Sequence, residues 1–204
     1  MKKCIIVANS DFSGFHPGFA ADFVIGADKF IAGMDLLVGD FDSLAAPPDN
    51  IEIIRHPAEK DESDLELAVN EAIRRGFSCF YIYGALGGRL DHTLASIAVL
   101  TSIAKKGMTG WLIGENELIT AITDEQLTID NGQLTVGELI SLFPAGETAR
   151  GVTLTNLKYP LCDAVLSCDN SLGLSNEFIG EKATIEVKDG TLIIILPKTL
   201  DNPK

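Results

Sequence analysis

The chain has 204 residues, 46% of them hydrophobic and 22% charged, the composition of a folded globular protein with apolar surface for one large domain or two small ones. A net charge of -13 argues against nucleic acid or an anionic membrane as the main partner and suits a small cation or a metal-bridged phosphate. The 4 cysteines form no C-x-x-C pair and stand beside no histidine cluster, which excludes the usual zinc arrangements and reads as reduced thiols in a cytoplasmic protein.

The first predicted strand, "CIIVA" at 4–8, is too short for a signal peptide and is broken by Asn9, Ser10 and Asp11. Further apolar runs at 23–27, 36–38, 51–55, 80–83 and 111–114 read as strands buried on both faces of a mostly parallel sheet. Two helical patterns lie between them. One has Ser63 and Glu66 in capping-box spacing, an apolar face of Leu65, Ala68, Val69, Ala72 and Ile73, and Gly76 as its stop. The other runs from about Leu90 to Lys106, with Leu94, Ile97, Ala98, Thr101 and Ala104 expected inward. Strand and helix alternate as in an α/β domain, placed at 1–123.

After residue 123 the helical period disappears and short β-branched runs take over. Asn131-Gly132 and Asp189-Gly190 read as two-residue hairpin turns, and "ATIEV" at 183–187 alternates apolar with polar. This predicts a C-terminal all-β sandwich over 124–204.

Three segments directly follow predicted strands, where an open α/β sheet binds its ligands. In "VGDFDSL", Asp40 and Asp42 are two apart and face the same way, so their carboxylates either converge on a hard cation such as Mg²⁺ or cap a surface turn. In "KDESDLE", Asp61 and Asp64 bracket a helix start, where capping by itself accounts for one acid, and Lys60 is either a solvated cation or a phosphate ligand. In "YGALGGRLDH", Gly84, Gly87 and Gly88 permit close backbone approach, Arg89 suits a phosphate, and Asp91 with His92 opens a helix. The segment is neither a P-loop nor a dinucleotide fingerprint. Together the five aspartates, the lysine and the arginine suggest Mg²⁺-dependent handling of a polyphosphate by positioning and charge neutralisation.

The ordered series "GDFDSL", "KDESDLELAV", "GALGGRLDHTLASI", "GVTLTNLKYPL" and "NSLGLSNEF" resembles the thiamin pyrophosphokinase family over nearly the whole chain. The resemblance implies transfer of the pyrophosphoryl group of ATP to thiamin, giving thiamin diphosphate and AMP. It also implies a homodimer with the site between subunits, a catalytic nucleotide-binding domain at 1–123 and a thiamin-binding, dimerising domain at 124–204. Asp40, Asp42 and Asp64 would hold Mg²⁺; with Asp91 and Arg89 they make up the catalytic set. Asn9, Ser10, Ser43, Lys60, Asp61, Ser63, Gly87, Gly88, Arg89 and His92 would line ATP. Ser171, Leu172, Ser175 and Asn176 would contact thiamin.

Two features depart from the family pattern. Only seven residues separate Asp28 from Leu36, which weakens the basis for a nucleotide role at Asp28 and leaves its role open, and the only tryptophan is Trp111, so Leu172 would substitute for a stacking ring by apolar contact. Two other classes compete. "LLVGDFDSL" is also similar to the D-x-D of aspartyl phosphatases, with Asp40 as nucleophile, and a non-catalytic thiamin- or nucleotide-binding module would bind without releasing AMP.

Overall fold

The computed structural model describes residues 1–8, 20–28, 33–41, 51–130 and 135–198. They form two compact units, one built from residues up to Val99 with Leu112–Gly114, the other from Leu100–Trp111 and the described residues from Glu115 onward.

In the first unit β5 (Cys79–Tyr83), β1 (Lys3–Val7), β2 (Phe23–Ala27), β3 (Leu36–Gly39) and β4 (Glu52–Arg55) lie side by side in that order, all parallel. Every residue of β3 and β5 is buried, as continuous apolar runs require when both faces of a sheet are covered. β4 departs from that expectation: Glu52, Ile53 and Arg55 are exposed, because this strand ends the order and has a neighbour on one side only.

Helix α1 (Asp64–Arg74) starts where Ser63 Oγ accepts the Glu66 N–H at 3.2 Å. It ends in a Schellman turn: Gly76, at φ 84°, donates to the Ile73 carbonyl and Phe77 to that of Ala72. Leu65, Ala68, Val69 and Ala72 are buried as the periodicity predicts, and the helix packs on β1, β2 and β3.

Helix α2 (Leu90–Lys105) corrects the expected face. Thr101 and Ala104 are buried as expected, but Leu94 is 59% exposed and Ala98 is also exposed, and Ser96, Val99, Leu100 and Ile103 are buried in their place. The helix is apolar almost all round, so three- and four-residue spacing marks more than one stripe and the sequence selects none. Strand β6 (Thr109–Ile113) follows, its residues divided between the units.

In the second unit β12 (Asn176–Glu177), β9 (Leu139–Pro144), β14 (Thr191–Pro197) and β7 (Glu117–Thr123) run antiparallel in that order. A second antiparallel sheet has the order β11 (Leu161–Ser167), β10 (Thr148–Thr155), β13 (Ala183–Glu186), β8 (Gln126–Ile129). Ala183, Ile185 and Val187 are buried in alternation, as read from "ATIEV".

The expected mostly parallel sheet followed by a β sandwich therefore holds in part. The parallel pairing runs through β1–β5 of the first unit, β7, β9, β12 and β14 of the second pair antiparallel, and the described residues contain two helices. Asp189-Gly190 is not a hairpin turn, since β13 and β14 on either side of it belong to different sheets. There the Asp189 carbonyl accepts from Arg150 N and Gly190 N–H donates to Asp124 Oδ1, with Gly190 at φ 110°. Asn131-Gly132 lies outside the described residues.

Cys4 and Cys79 are buried and Cys162 and Cys168 exposed, all as free thiols, and burial pushes the Cys4 thiol up to about 12. No helix among the described residues is long and apolar enough to cross a membrane.

Candidate active site

Parallel pairing aligns Val7 with Gly26 and Tyr83, Ala27 with Val38, and Gly39 with Arg55, so the residues that follow these strands emerge along one edge of the sheet. The chain steps from β1 outward to β4 and then returns to the other side of β1 with β5. The topological switch point is thus between β1 and β5, where Ala8 N–H bonds the Tyr83 carbonyl at 2.8 Å. Beyond Tyr83, Gly84, Gly87 and Gly88 have φ of 67°, 83° and 67°, left-handed backbone that glycine adopts without strain. A Cβ at Gly87 or Gly88 would meet no atom within 4 Å, so their backbone faces open space.

Asp40 directly follows β3, and Asp64 opens α1. Lys60 lies between them: its Nζ donates to Asp64 Oδ1 at 2.5 Å and is 3.8 Å from Asp40 Oδ2, with the lysine side chain 12% exposed. Two carboxylates from separate elements thereby share one cation. An ammonium that is mostly withdrawn from water holds them together more firmly than a solvated surface pair would.

Arg89 and Asp91 form a second cluster at the start of α2. Arg89 Nε and Nη2 reach the two Asp91 oxygens at 3.1 and 2.5 Å, and Asp91 Oδ1 also accepts the His92 backbone N–H at 3.0 Å. The guanidinium holds the Asp91 carboxyl below the ordinary carboxylate range and is itself raised by it. Both side chains are exposed.

Asn9, Ser10, Asp42 and Ser43 lie outside the described residues. Asp61 is exposed, and the Ser63 hydroxyl is engaged in capping α1. Among the described residues no three His, Cys, Asp or Glu side chains gather as a metal-binding group. The Asp40–Asp64 pair supplies two hard oxygen donors already gathered about a positive charge, which fits a divalent cation in kind.

In the second unit the segment ahead of β12 makes a tight turn. Leu174 N–H bonds the Ser171 carbonyl, Leu172 N–H bonds Asn170 Oδ1, and Leu172 and Leu174 are each 53% exposed. Ser175 sits at φ 56° with its N–H on Ser141 Oγ and its side chain exposed. Asn176 differs, being 5% exposed: its amide oxygen accepts from Tyr159 and Glu177 N–H, and its Nδ2 donates to the Tyr159 carbonyl. It braces the turn from inside. Trp111 is 2% exposed within the protein.

Residues 20–112 match the model of the thiamin pyrophosphokinase catalytic domain, and 125–192 match that of the thiamin pyrophosphokinase vitamin B1 binding domain. Thiamine pyrophosphokinase of Bacillus subtilis is 32% identical over 167 residues, which cover 77% of this chain and 75% of that one. The chain belongs to the thiamin pyrophosphokinase family. The crystal structure of the Bacillus subtilis thiamine pyrophosphokinase superposes with a TM-score of 0.80 at 26% identity, covering 96% of this chain and 99% of that one. That of thiamin pyrophosphokinase from Geobacillus thermodenitrificans gives 0.79 at 26%, covering 96% and 97%. The Candida albicans thiamin pyrophosphokinase, at 18% identity and a TM-score of 0.74, shares the fold over 97% of this chain and 89% of that one.

Within this thiamin pyrophosphokinase family member, Arg55 is a neighbour of Asp40 that the sequence reading passes over. Its Nη1 donates to the Asp40 carbonyl at 3.3 Å and its guanidinium lies 5.1 Å from the centroid of the Phe41 ring. As the last residue of "IEIIR" it ends a strand paired directly to β3, a relationship visible once strand order is known.

Proposed function

We infer that the protein transfers the pyrophosphoryl group of ATP to the hydroxyl of thiamin, giving thiamin diphosphate and AMP. The observation that carries this reading is the meeting of Asp40 and Asp64 across Lys60 at the carboxyl edge of the parallel sheet, in a chain whose family acts on these substrates. An aspartyl phosphatase is not favoured by either family match.

Asp40, Asp42 and Asp64 would hold Mg²⁺, which when bound supplies charge neutralisation and a fixed orientation for the polyphosphate. Lys60 keeps the Asp40 and Asp64 carboxylates turned toward one another. The open backbone at Gly87 and Gly88 and the amides at the start of α2 receive phosphate oxygens, with His92 beside them. Arg89 exchanges the exposed Asp91 carboxylate for a phosphate, which its fork geometry suits. Asp91 aims Arg89 and accepts the His92 N–H in the first turn of α2; held below the ordinary carboxylate range, it is a poor proton acceptor. By the family resemblance Asn9, Ser10 and Ser43 would contact the nucleotide together with Asp61 and Ser63.

Reaction is an in-line attack of the thiamin hydroxyl oxygen on the β-phosphorus. That bond forms as the bridge from the β-phosphorus to the α-phosphate oxygen breaks, AMP leaves with the bonding pair, and the hydroxyl proton passes to solvent. The permanent positive charge of the thiazolium is drawn by a chain of net charge -13.

Residues 1–123 serve catalysis and nucleotide binding, and 124–204 serve thiamin binding and dimerisation. The exposed Ser171, Leu172 and Ser175 offer hydroxyl and apolar contacts to thiamin, while Asn176 acts by bracing them. A homodimer accounts for the exposed Leu90, Leu94, Leu172 and Leu174, apolar side chains of the kind that subunit contact covers. Free thiols and the use of ATP support a cytoplasmic location.

The test is whether AMP release from Mg·ATP depends on the acceptor. AMP formed only when thiamin is added supports the reading; phosphate release at the same rate without thiamin contradicts it.

A further inference from the structure

We propose that Asp28 is a positioning residue for Asp40: by accepting the Phe41 amide hydrogen, it holds the left-handed turn after β3 and so fixes the direction in which the Asp40 carboxylate leaves the sheet. The proposal rests on the reading of Asp40 as a ligand of the metal–nucleotide complex.

Asp28 directly follows β2 and is 9% exposed, so little of its side chain is open to a nucleotide. Its own N–H bonds the Val38 carbonyl at 2.7 Å, which registers it beside the end of β3. Its Oδ1 accepts the Phe41 N–H at 3.0 Å. Phe41 has φ 63°, a left-handed conformation that is strained for a bulky L-residue and persists only where the surroundings enforce it. Two things enforce it here. The phenyl ring, 4% exposed, is buried with Met34 and Leu37 and flanked by Val24 and Ile51, and the amide is held by Asp28.

Gly39 completes the device. A Cβ there would lie 2.9 Å from Asp28 Oδ1 and 3.0 Å from Asp28 Cα, so the carboxylate occupies space that any other residue would fill. The backbone around Asp40 is thus pinned three times: His56 N–H on the Gly39 carbonyl at 2.9 Å, Arg55 on the Asp40 carbonyl, and Phe41 N–H on Asp28. With the backbone fixed on both sides, the Asp40 carboxylate is delivered toward Lys60.

The experiment compares Asp28→Ala, Asp28→Asn, Gly39→Ala and Asp40→Asn in the full chain. It measures binding of Mn²⁺ with a non-hydrolysable ATP analogue by electron paramagnetic resonance, hydrogen exchange of the Phe41 amide, and the KM for each substrate. Asp28→Ala is expected to weaken Mn²⁺–nucleotide binding about tenfold, raise the ATP KM similarly, leave the thiamin KM within about twofold and deprotect the Phe41 amide. Asp28→Asn keeps an acceptor oxygen and is expected to restore binding to within about threefold of the parent. Gly39→Ala displaces the carboxylate without deleting it and is expected to reproduce the Asp28→Ala pattern. Should Asp28→Ala fail to fold, Gly39→Ala and Asp28→Asn carry the comparison. Parent-like Mn²⁺–nucleotide binding in folded Asp28→Ala or Gly39→Ala, with Asp40→Asn impaired, overturns the positioning role and leaves the Asp40 reading standing. Parent-like binding in Asp40→Asn overturns that reading, and the proposal with it.

Discussion

Lys60 and Asp64 form an ion pair at 2.5 Å in which the lysine side chain is 12% exposed and the aspartate 30%. A strongly hydrated ammonium gives up water at such a site only where negative charge gathers around it, and Asp40, 3.8 Å away, adds a second carboxylate. Charge density at this point is set by one lysine against two acids.

Lys60→Met is therefore expected to act in opposite directions on the two charged ligands. The uncompensated carboxylates attract a divalent cation more strongly, so half-saturation falls to lower Mg²⁺. The polyphosphate loses a counter-charge, so the KM for ATP rises about tenfold. Steady-state titrations of each ligand measure both. A parallel weakening of the two would show that Lys60 does not balance the site.

The pairing of Arg89 with Asp91 makes a statement about pH. The Asp91 carboxyl is depressed first by the Arg89 hydrogen bond and then by the His92 amide, so it stays ionised below the ordinary carboxylate range and contributes no titration near neutrality. Asp91→Asn is expected to lower kcat/KM through a misdirected Arg89 while the acid limb of the pH–rate profile keeps its position. Loss of that limb in the variant would make Asp91 the titrating base.

On the thiamin side, Leu172 is 53% exposed and holds little of the fold together, so Leu172→Ala should leave Tm unchanged. It should raise the thiamin KM about fivefold, the worth of about 1 kcal/mol of apolar contact, with the ATP KM unaltered. Gly173→Ala behaves differently. A Cβ there would overlap the Leu142 carbonyl, and Gly173 O accepts the Leu142 N–H at 2.9 Å, so the turn carrying Leu172 must shift. Both Tm and thiamin affinity are expected to fall. Kinetics with each substrate, beside thermal melts, separate the two cases.

Arg75 ties α1 to β4, its Nε bonding Glu71 at 2.6 Å and its terminal Nη1 and Nη2 bonding the two Glu52 oxygens. Glu71 is lowered chiefly by Arg74 and then by Arg75, and Glu52 chiefly by Arg75. Depressed carboxylates stabilise the fold above their ordinary values and lose that contribution as pH falls through the folded ones. Melts of the parent should therefore drop as pH falls below about 4.3. Arg75→Ala should lower Tm at neutral pH by about 2–4 °C and flatten the acid decline. An unchanged slope would show that the network is not coupled to protonation.

Much of this was legible in the chain. Ser63, Glu66 and Gly76 write the limits of α1 in local chemistry that needs no tertiary partner, and the apolar runs of β1, β3 and β5 announce burial on both faces. Where the choice belongs to the surroundings, sequence fell silent. Leu94 turned outward because an almost wholly apolar helix carries no face of its own, and Asp189-Gly190 turned out to join two sheets, since a glycine turn specifies a bend and not its destination. At the site, the spacing of the two acidic segments points to Asp40 and Asp64 and leaves Lys60 between a solvated cation and a phosphate ligand; the structure joins the three in one ion-paired group. Arg55 was not singled out, because its relation to Asp40 exists only through the pairing of β3 with β4.

The central claim is that this chain moves two phosphates at once onto thiamin. Its most direct measurement is the time course of products from thiamin, ATP and Mg²⁺, with AMP and thiamin diphosphate quantified together. Equimolar appearance of the two is the predicted result; formation of ADP with thiamin monophosphate, or of inorganic phosphate with no thiamin diphosphate, would contradict it.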